Sequence, residues 1–242
     1  MSDSPSGNQK SITYRQVIDL SHGIHPEMPH WPGDPATEFE PVAEIVRDRF
    51  YLRRFSMGEH SGTHMNAPNS FHPNGPGIDT YTAASLVVPA VVIDLGQQAA
   101  ANPDYVLTQQ DIRVWEQQQG QISPGSVVLL YTGWQTKWHN PEAFFNSDQK
   151  GNLHFPGFSR EATQFLLEKR SIAGLGTDTH SVDPGLDTTF TTNRLVLQQQ
   201  RLVLENLTNL DQLCPTGVTL VIGILQLKHG SGSPVSVLAF IP

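Results

Sequence analysis

His60-Ser61-Gly62-Thr63-His64-Met65-Asn66-Ala67-Pro68-Asn69-Ser70-Phe71-His72 is the stretch around which the rest of the chain is read. Three histidines and two side-chain amides fall within thirteen residues, with Gly62 inside the run and Pro68 near its end. His60 and His64 stand four apart, a spacing that lets two imidazoles converge on one metal ion. On a helix they lie one turn apart; on an extended segment they share a face, and Asn66 shares it too. Gly62 and Pro68 oppose a long helix, so a strand end or a structured loop is predicted. Neutral imidazole suits zinc, manganese or iron.

Outward from this motif the chain reads as short strands with few helices. Phe50–Gly58 is a predicted strand that leads straight into it, and Glu38–Val46 is another. Residues 23–35 hold four prolines and two glycines and make a long loop. Tyr14–Leu20, Ser126–Thr132, Ile172–Thr177, Val218–Leu227 and Val235–Ile241 are further predicted strands. The apolar run Val87–Leu95 reads as a buried strand, with Pro89 marking an edge, a bulge or its start. Thr108 caps a predicted helix through Gln119, stopped by Gly120, and Ser159 caps another to about Arg170. Residues 133–157 are aromatic and polar without periodicity, which predicts a long loop lining a site or meeting another subunit.

Strands outnumber helices and the two alternate only in the middle. A mixed α/β domain with a curled, barrel-like sheet follows, not a doubly wound fold. We expect a disordered tail over residues 1–12 and one domain over 13–242. Net charge is −8 with 38% hydrophobic and 16% charged residues, which argues against nucleic acid or an anionic membrane as partner. A polar N-terminus and the single cysteine, Cys214, which we expect to be buried and inert, fit a cytoplasmic protein. Of ten histidines, six lie between His22 and His72, the clustering that a site produces.

The motif resembles the signature of the cyclase family of metal-dependent hydrolases, which includes bacterial kynurenine formamidases and isatin hydrolases. That signature reads His-x-Gly-Thr-His-x-Asp-x-Pro-x-His-Phe, matched here at His60, Gly62, Thr63, His64, Pro68 and Phe71. Further family landmarks are Asp19-Leu20-Ser21, Trp31-Pro32-Gly33-Asp34, Phe155-Pro156-Gly157, Gly176 to Asp183, Leu204-Glu205-Asn206-Leu207 and Gly232-Ser233-Pro234-Val235. The resemblance implies a β-barrel-like core flanked by helices. It also implies a two-metal site, with a second His and a Glu supplied by a helix nearer the C-terminus. Glu205 matches that Glu, but Asn193 stands where the His would be, Asn66 replaces the bridging Asp, and Ser70 replaces the catalytic His.

Each replacement removes something physical. An amide oxygen is neutral and bridges two cations poorly, so one divalent ion is expected on His60, His64, Glu205 and the Asn66 oxygen. Zinc is the first choice, with manganese or iron as alternatives. Ser70 is no base near neutral pH, which leaves His72, on the same side of an extended segment or turned to solvent, and His180, which follows an apolar strand. Trp31, Phe71 and Ser70 are assigned to the substrate side, where a flat aromatic molecule would stack. The implied activity is hydrolysis of an amide or lactam-like bond, with arylformamide as the default substrate. The alternative is a family member that has lost catalysis and binds a small molecule. Oligomerisation, at least to a dimer, is expected because segment 133–157 looks too apolar to bury within one chain.

Overall fold

A computed structural model describes residues 11–242, and all but the last two residues of the tail expected over 1–12 lie outside the described residues. The chain begins with β1 (Gln16–Asp19) and a proline-rich loop. A hairpin follows, β2 (Glu38–Ala43) and β3 (Leu52–Ser56), with one helical turn α1 (Ile45–Asp48) at its tip. The His60–His72 stretch contributes the short strand β4 (His64–Asn66), set between a turn at Gly62, φ 63°, and a 3₁₀ turn at Pro68–Ser70. Then come β5 (Val87–Asp94), α2 (Gly96–Ala101), β6 (Val106–Leu107), α3 (Gln109–Gln119) and β7 (Val127–Tyr131). The rest is α4 (Pro141–Phe145), β8 (Gly157–Phe158), α5 (Arg160–Lys169), β9 (Gly174–Thr177), α6 (Thr191–Val196), β10 (Leu202–Glu205), β11 (Val218–Ile224) and β12 (Gly232–Ile241).

Seven strands close into a barrel in the order β12-β11-β5-β7-β9-β10-β4, with β4 pairing back onto β12. Strands β5, β7, β9 and β10 run parallel, and the remaining pairs are antiparallel. The expected curled mixed sheet flanked by helices is therefore the fold. Its central strands are continuous apolar runs because both faces are covered. Val88, Ala90 and Val92 of β5 and Val127 and Leu129 of β7 point into the lumen with Met65, Leu204 and Leu220. Val91, Ile93, Val128, Leu130 and Val203 point outward, against Ile112 of α3 and Ala162, Phe165 and Leu166 of α5. Pro89 precedes the stretch of β5 that pairs with β7, Ala90–Asp94, so its missing N–H falls where only β11 flanks it.

Both predicted helix starts are capped as read. The Thr108 hydroxyl accepts from the Asp111 amide while the Asp111 carboxylate reaches back to Thr108, and Ser159 accepts from the Ala162 amide. Three expectations are corrected. Segment 133–157 is not a featureless loop: it carries a 3₁₀ turn at Trp134–Lys137 and α4, and it is folded inward. Glu205 lies on a strand, β10, rather than on a helix. Cys214 is exposed rather than buried.

Candidate metal and substrate site

Strand register builds the site. In the antiparallel ladder between β4 and β10, His64 stands directly opposite Glu205, and Leu204 opposite Met65. Directly paired residues share a face with Cβ atoms about 5 Å apart. Met65 and Leu204 take the lumen face, so His64, Asn66 and Glu205 emerge on the outside of the barrel, beneath α6. His60 comes from the loop before β4. Gly232 of β12 makes room for it, since a Cβ there would lie 2.6 Å from His60 Cε1. One cavity of about 300 Å³ is lined by Trp31, Asp34, His60, His64, Asn66, Asn69, Ser70, Phe71, His180, Ser181, Phe190, Asn193, Glu205 and Ser231.

The four residues expected to hold a metal are joined to one another. His64 Nδ1 donates to the Gly62 carbonyl at 2.9 Å, and its Nε2 lies 3.0 Å from Glu205 Oε2. Asn66 Nδ2 donates to Asn193 Oδ1 and to Glu205 Oε2, each at 3.0 Å, so Asn66 Oδ1 faces His60 Nδ1 at 2.8 Å. The other His60 nitrogen, Nε2, is 2.9 Å from Ser231 Oγ, whose hydroxyl donates to Glu59 Oε2 at 2.6 Å. These bonds place the ring protons on His64 Nδ1 and His60 Nε2. The inner lone pairs then face acceptors: His64 Nε2 faces Glu205, and His60 Nδ1 faces Asn66 Oδ1. Lone pairs gathered this way are stable only with a cation among them, either a proton or a metal ion. Two imidazoles, one carboxylate and one amide oxygen fit a borderline divalent ion. Among the described residues no three His, Cys, Asp or Glu side chains are grouped so that they alone could hold a metal ion.

Beyond them lies a second buried carboxylate. Asn193 of α6, at the position of the family's second histidine, donates through Nδ2 to Glu205 Oε1 at 3.0 Å and Asp183 Oδ2 at 2.9 Å. Asp183 also accepts from the Thr192 and Asn193 amides at the start of α6. Burial pushes Asp183 up to about 6, against those bonds. Burial would push Glu205 up as well, but His64 carrying a proton on Nε2 too, Asn193 and the Val182 amide outweigh it and hold that carboxyl at about 2. Burial, with the neighbouring His64, lowers the His60 imidazole.

The remaining expected residues divide. Trp31 and Phe71 form an aromatic wall with Phe190, whose ring centroid is 6.2 Å from Trp31 and 5.5 Å from Phe71. Phe190 holds a left-handed φ of 56° at the cap of α6, a strained conformation for an aromatic residue. Ser70 lines the cavity, but its hydroxyl is spent on the Ser231 carbonyl. His180 lines it too, packed among Trp31, Phe144 and Phe145 with its Nε2 unpartnered; burial, then the nearby His64, lowers it to about 3. His72 is not brought in, since its Nε2 donates to the Arg194 carbonyl at 2.9 Å. Sequence reasoning passed over Asp34, Glu59, Ser181, Asp183, Phe190 and Ser231. Asp34, Ser181 and Asp183 sit within family landmarks, which was a usable signal; Phe190 carried none.

The profile of the family described as "Putative cyclase" matches residues 18–184. An isatin hydrolase of Roseibium aggregatum is 32% identical across 94% of this chain and 92% of its own length. A kynurenine formamidase of Bacillus cytotoxicus is 27% identical across 90% of this chain and 94% of its own. Among solved structures, isatin hydrolase A from Ralstonia solanacearum superposes with a TM-score of 0.87 at 32% identity, covering 94% of this chain and 92% of that one.

Proposed function

The chain belongs to the cyclase family, and from that premise we propose that it is a metal-dependent hydrolase opening an amide or lactam-like C–N bond in a small aromatic molecule. The carrying observation is the convergence of His60, His64, Asn66 and Glu205 on one cavity walled by Trp31, Phe71 and Phe190. At about 300 Å³ the cavity is at the small end of ligand pockets and suits a single flat ring system. Isatin-type lactam opening is the first substrate class, as in the relative at 32% identity, and aryl formamides are the second. The alternative of a binding protein without catalysis has no support from these relatives, which are hydrolases by name.

His60, His64, Glu205 and the Asn66 oxygen would hold one divalent ion, with zinc first and manganese or iron suited to the same donors. When bound, it supplies Lewis acidity toward the carbonyl oxygen and makes water more acidic. The protein's own residues do the rest. The aromatic wall orients the ring, Ser231 and Glu59 hold His60 in one tautomer, and the Gly62 carbonyl does the same for His64. Elemental analysis of protein purified without chelator should find at most one tightly bound divalent ion per chain. His60→Ala and His64→Ala should each lose both the ion and hydrolysis of isatin or an N-formyl anilide. Full metal retention by both variants would overturn the assignment.

The chain also pairs with a second copy in this proposal, through the β2–β3 hairpin. Val42, Ile45, Val46, Phe50, Tyr51, Leu52 and Phe55 are all exposed there, with Val46 99% accessible. The hairpin's four arginines are balanced by Glu38, Glu40, Glu44 and Asp48, with Arg47 and Arg54 paired to Asp48 and Glu40, so the exposed apolar side chains carry the pairing. No helix among the described residues is long and apolar enough to cross a membrane.

A further inference from the structure

Hydrolysis needs a group that takes a proton from water, and the position where the family carries a histidine is Ser70 here. We propose that Asp34, at the mouth of the cavity, is the general base of this chain. The proposal rests on the hydrolase reading above.

The turn that presents Asp34 is written in the sequence. Trp31-Pro32-Gly33-Asp34 has proline, which fixes φ near −65°, at the second position and glycine at the third. Gly33 takes φ 96°, and the Asp34 amide donates to the Trp31 carbonyl at 3.0 Å. This type II turn sets the aromatic wall residue Trp31 and the Asp34 carboxylate side by side, and both line the cavity. The next residue, Pro35, packs beside Gly58: a Cβ on Gly58 would lie 3.5 Å from Pro35 Cδ. The loop is thereby fastened to the segment that carries His60. Asp34 is also among the carboxylates whose charge opposes the burial that lowers His60, an effect that requires proximity.

The other acid–base groups are bonded elsewhere or, in the case of His180, which lines the cavity with its Nε2 unpartnered, held back by burial. His72 is bonded to the Arg194 carbonyl and does not line the cavity. His180 is caged by aromatic rings and is a weak proton acceptor. Glu205 accepts from Asn66, Asn193, Ser181 and the Val182 amide and pairs with His64. Asp183 is buried at the start of α6 and is not a lining residue. Asp34 is half-buried, and among the described residues nothing hydrogen-bonds or ion-pairs with its carboxylate. In the reaction, one O–H bond of water breaks and its proton passes to an Asp34 oxygen. The water oxygen bonds the carbonyl carbon, whose π pair moves onto the carbonyl oxygen. That pair then re-forms C=O as the C–N bond breaks, and Asp34 returns the proton to the departing nitrogen.

The test uses the metal-loaded chain with isatin and an N-formyl anilide. Asp34→Asn should lower kcat by roughly 10²–10⁴ with KM and metal content little changed. Formate or azide added to Asp34→Ala should restore part of kcat in a concentration-dependent way. Ser70→His placed on Asp34→Asn should also recover activity by returning a base to the family's position. An unimpaired Asp34→Asn, a change confined to KM, or no rescue of Asp34→Ala by small anions overturns the proposal while leaving hydrolysis standing. A wild-type chain inert toward both substrate classes overturns the hydrolase reading together with it.

Discussion

Two aromatic-bearing segments lie outside the barrel, residues 133–157 and the hairpin of residues 38–56, and they meet opposite fates. In the first, Trp134, Trp138, Phe144 and Phe155 are buried together with Met28 of the N-terminal loop. The indole N–H of Trp134 donates to the Phe144 carbonyl at 2.8 Å, and Trp138 stacks on His22 at 4.0 Å with the rings 8° from parallel. In the hairpin, β2 pairs only with β3, and Phe50, Tyr51 and Phe55 stay exposed. A two-stranded ribbon is marginal by itself and wants cover. Aromatic content does not decide exposure; a facing surface does, and the N-terminal loop supplies one to the first segment through Met28. The expectation that 133–157 would drive oligomerisation therefore fails on its reason, and the pairing we propose moves to the hairpin.

That contrast can be broken most sharply at Trp138. Trp138→Ala should cost about 3–5 kcal/mol in urea unfolding, the usual penalty for emptying a buried indole site. A cost below about 1 kcal/mol would mean that the cluster is not packed as described.

The next effect is pH-dependent and belongs to the same cluster. Burial lowers His22 to about 4 from its ordinary 6.5, with His139 and His25 adding to the push. The folded chain keeps this ring neutral where the unfolded chain protonates it, so stability falls as pH drops from 6.5 toward 4. Comparing His22→Phe with the wild type at pH 7 and pH 4.5 should recover roughly 2–3 kcal/mol of that acid loss. Parallel pH curves for the two proteins would remove His22 from the buried stack.

The smallest effect on stability, and the largest on assembly, is expected in the hairpin. Val46→Asp with Phe50→Asp should change the unfolding free energy of the dilute chain by no more than about 0.5 kcal/mol. Sedimentation should nonetheless move from dimer to monomer at micromolar concentration. A wild-type monomer, or a double variant that still pairs, would put the interface elsewhere.

Much of the site was legible in the chain. The His60–His72 stretch announces a paired-imidazole site through the spacing of His60 and His64, although only His64 and Asn66 share a face of β4 and His60 reaches the site from the turn before it, where Gly62 takes φ 63°. The capped starts of α3 and α5 were legible for a similar reason, since capping is a bond between residues three apart. His72 shows the limit. Its direction, toward the site or toward solvent, stayed open in the sequence, because a 3₁₀ turn at Pro68–Ser70 precedes it and the carbonyl that holds it belongs to Arg194, far along the chain.

By itself the sequence determined the barrel strands β5, β7, β9, β11 and β12, the two long helices and the family, since alternation, caps and short motifs are local properties; β10 was not read as a strand. Only the tertiary structure decided that Glu205 stands opposite His64 on a strand, that Asn193 bridges Glu205 and Asp183, and that Phe190 completes the aromatic wall. Those pairings are set by the register of strands distant in sequence and by a helix laid across them. Register is decided by how the whole barrel closes, which no single stretch of the chain encodes.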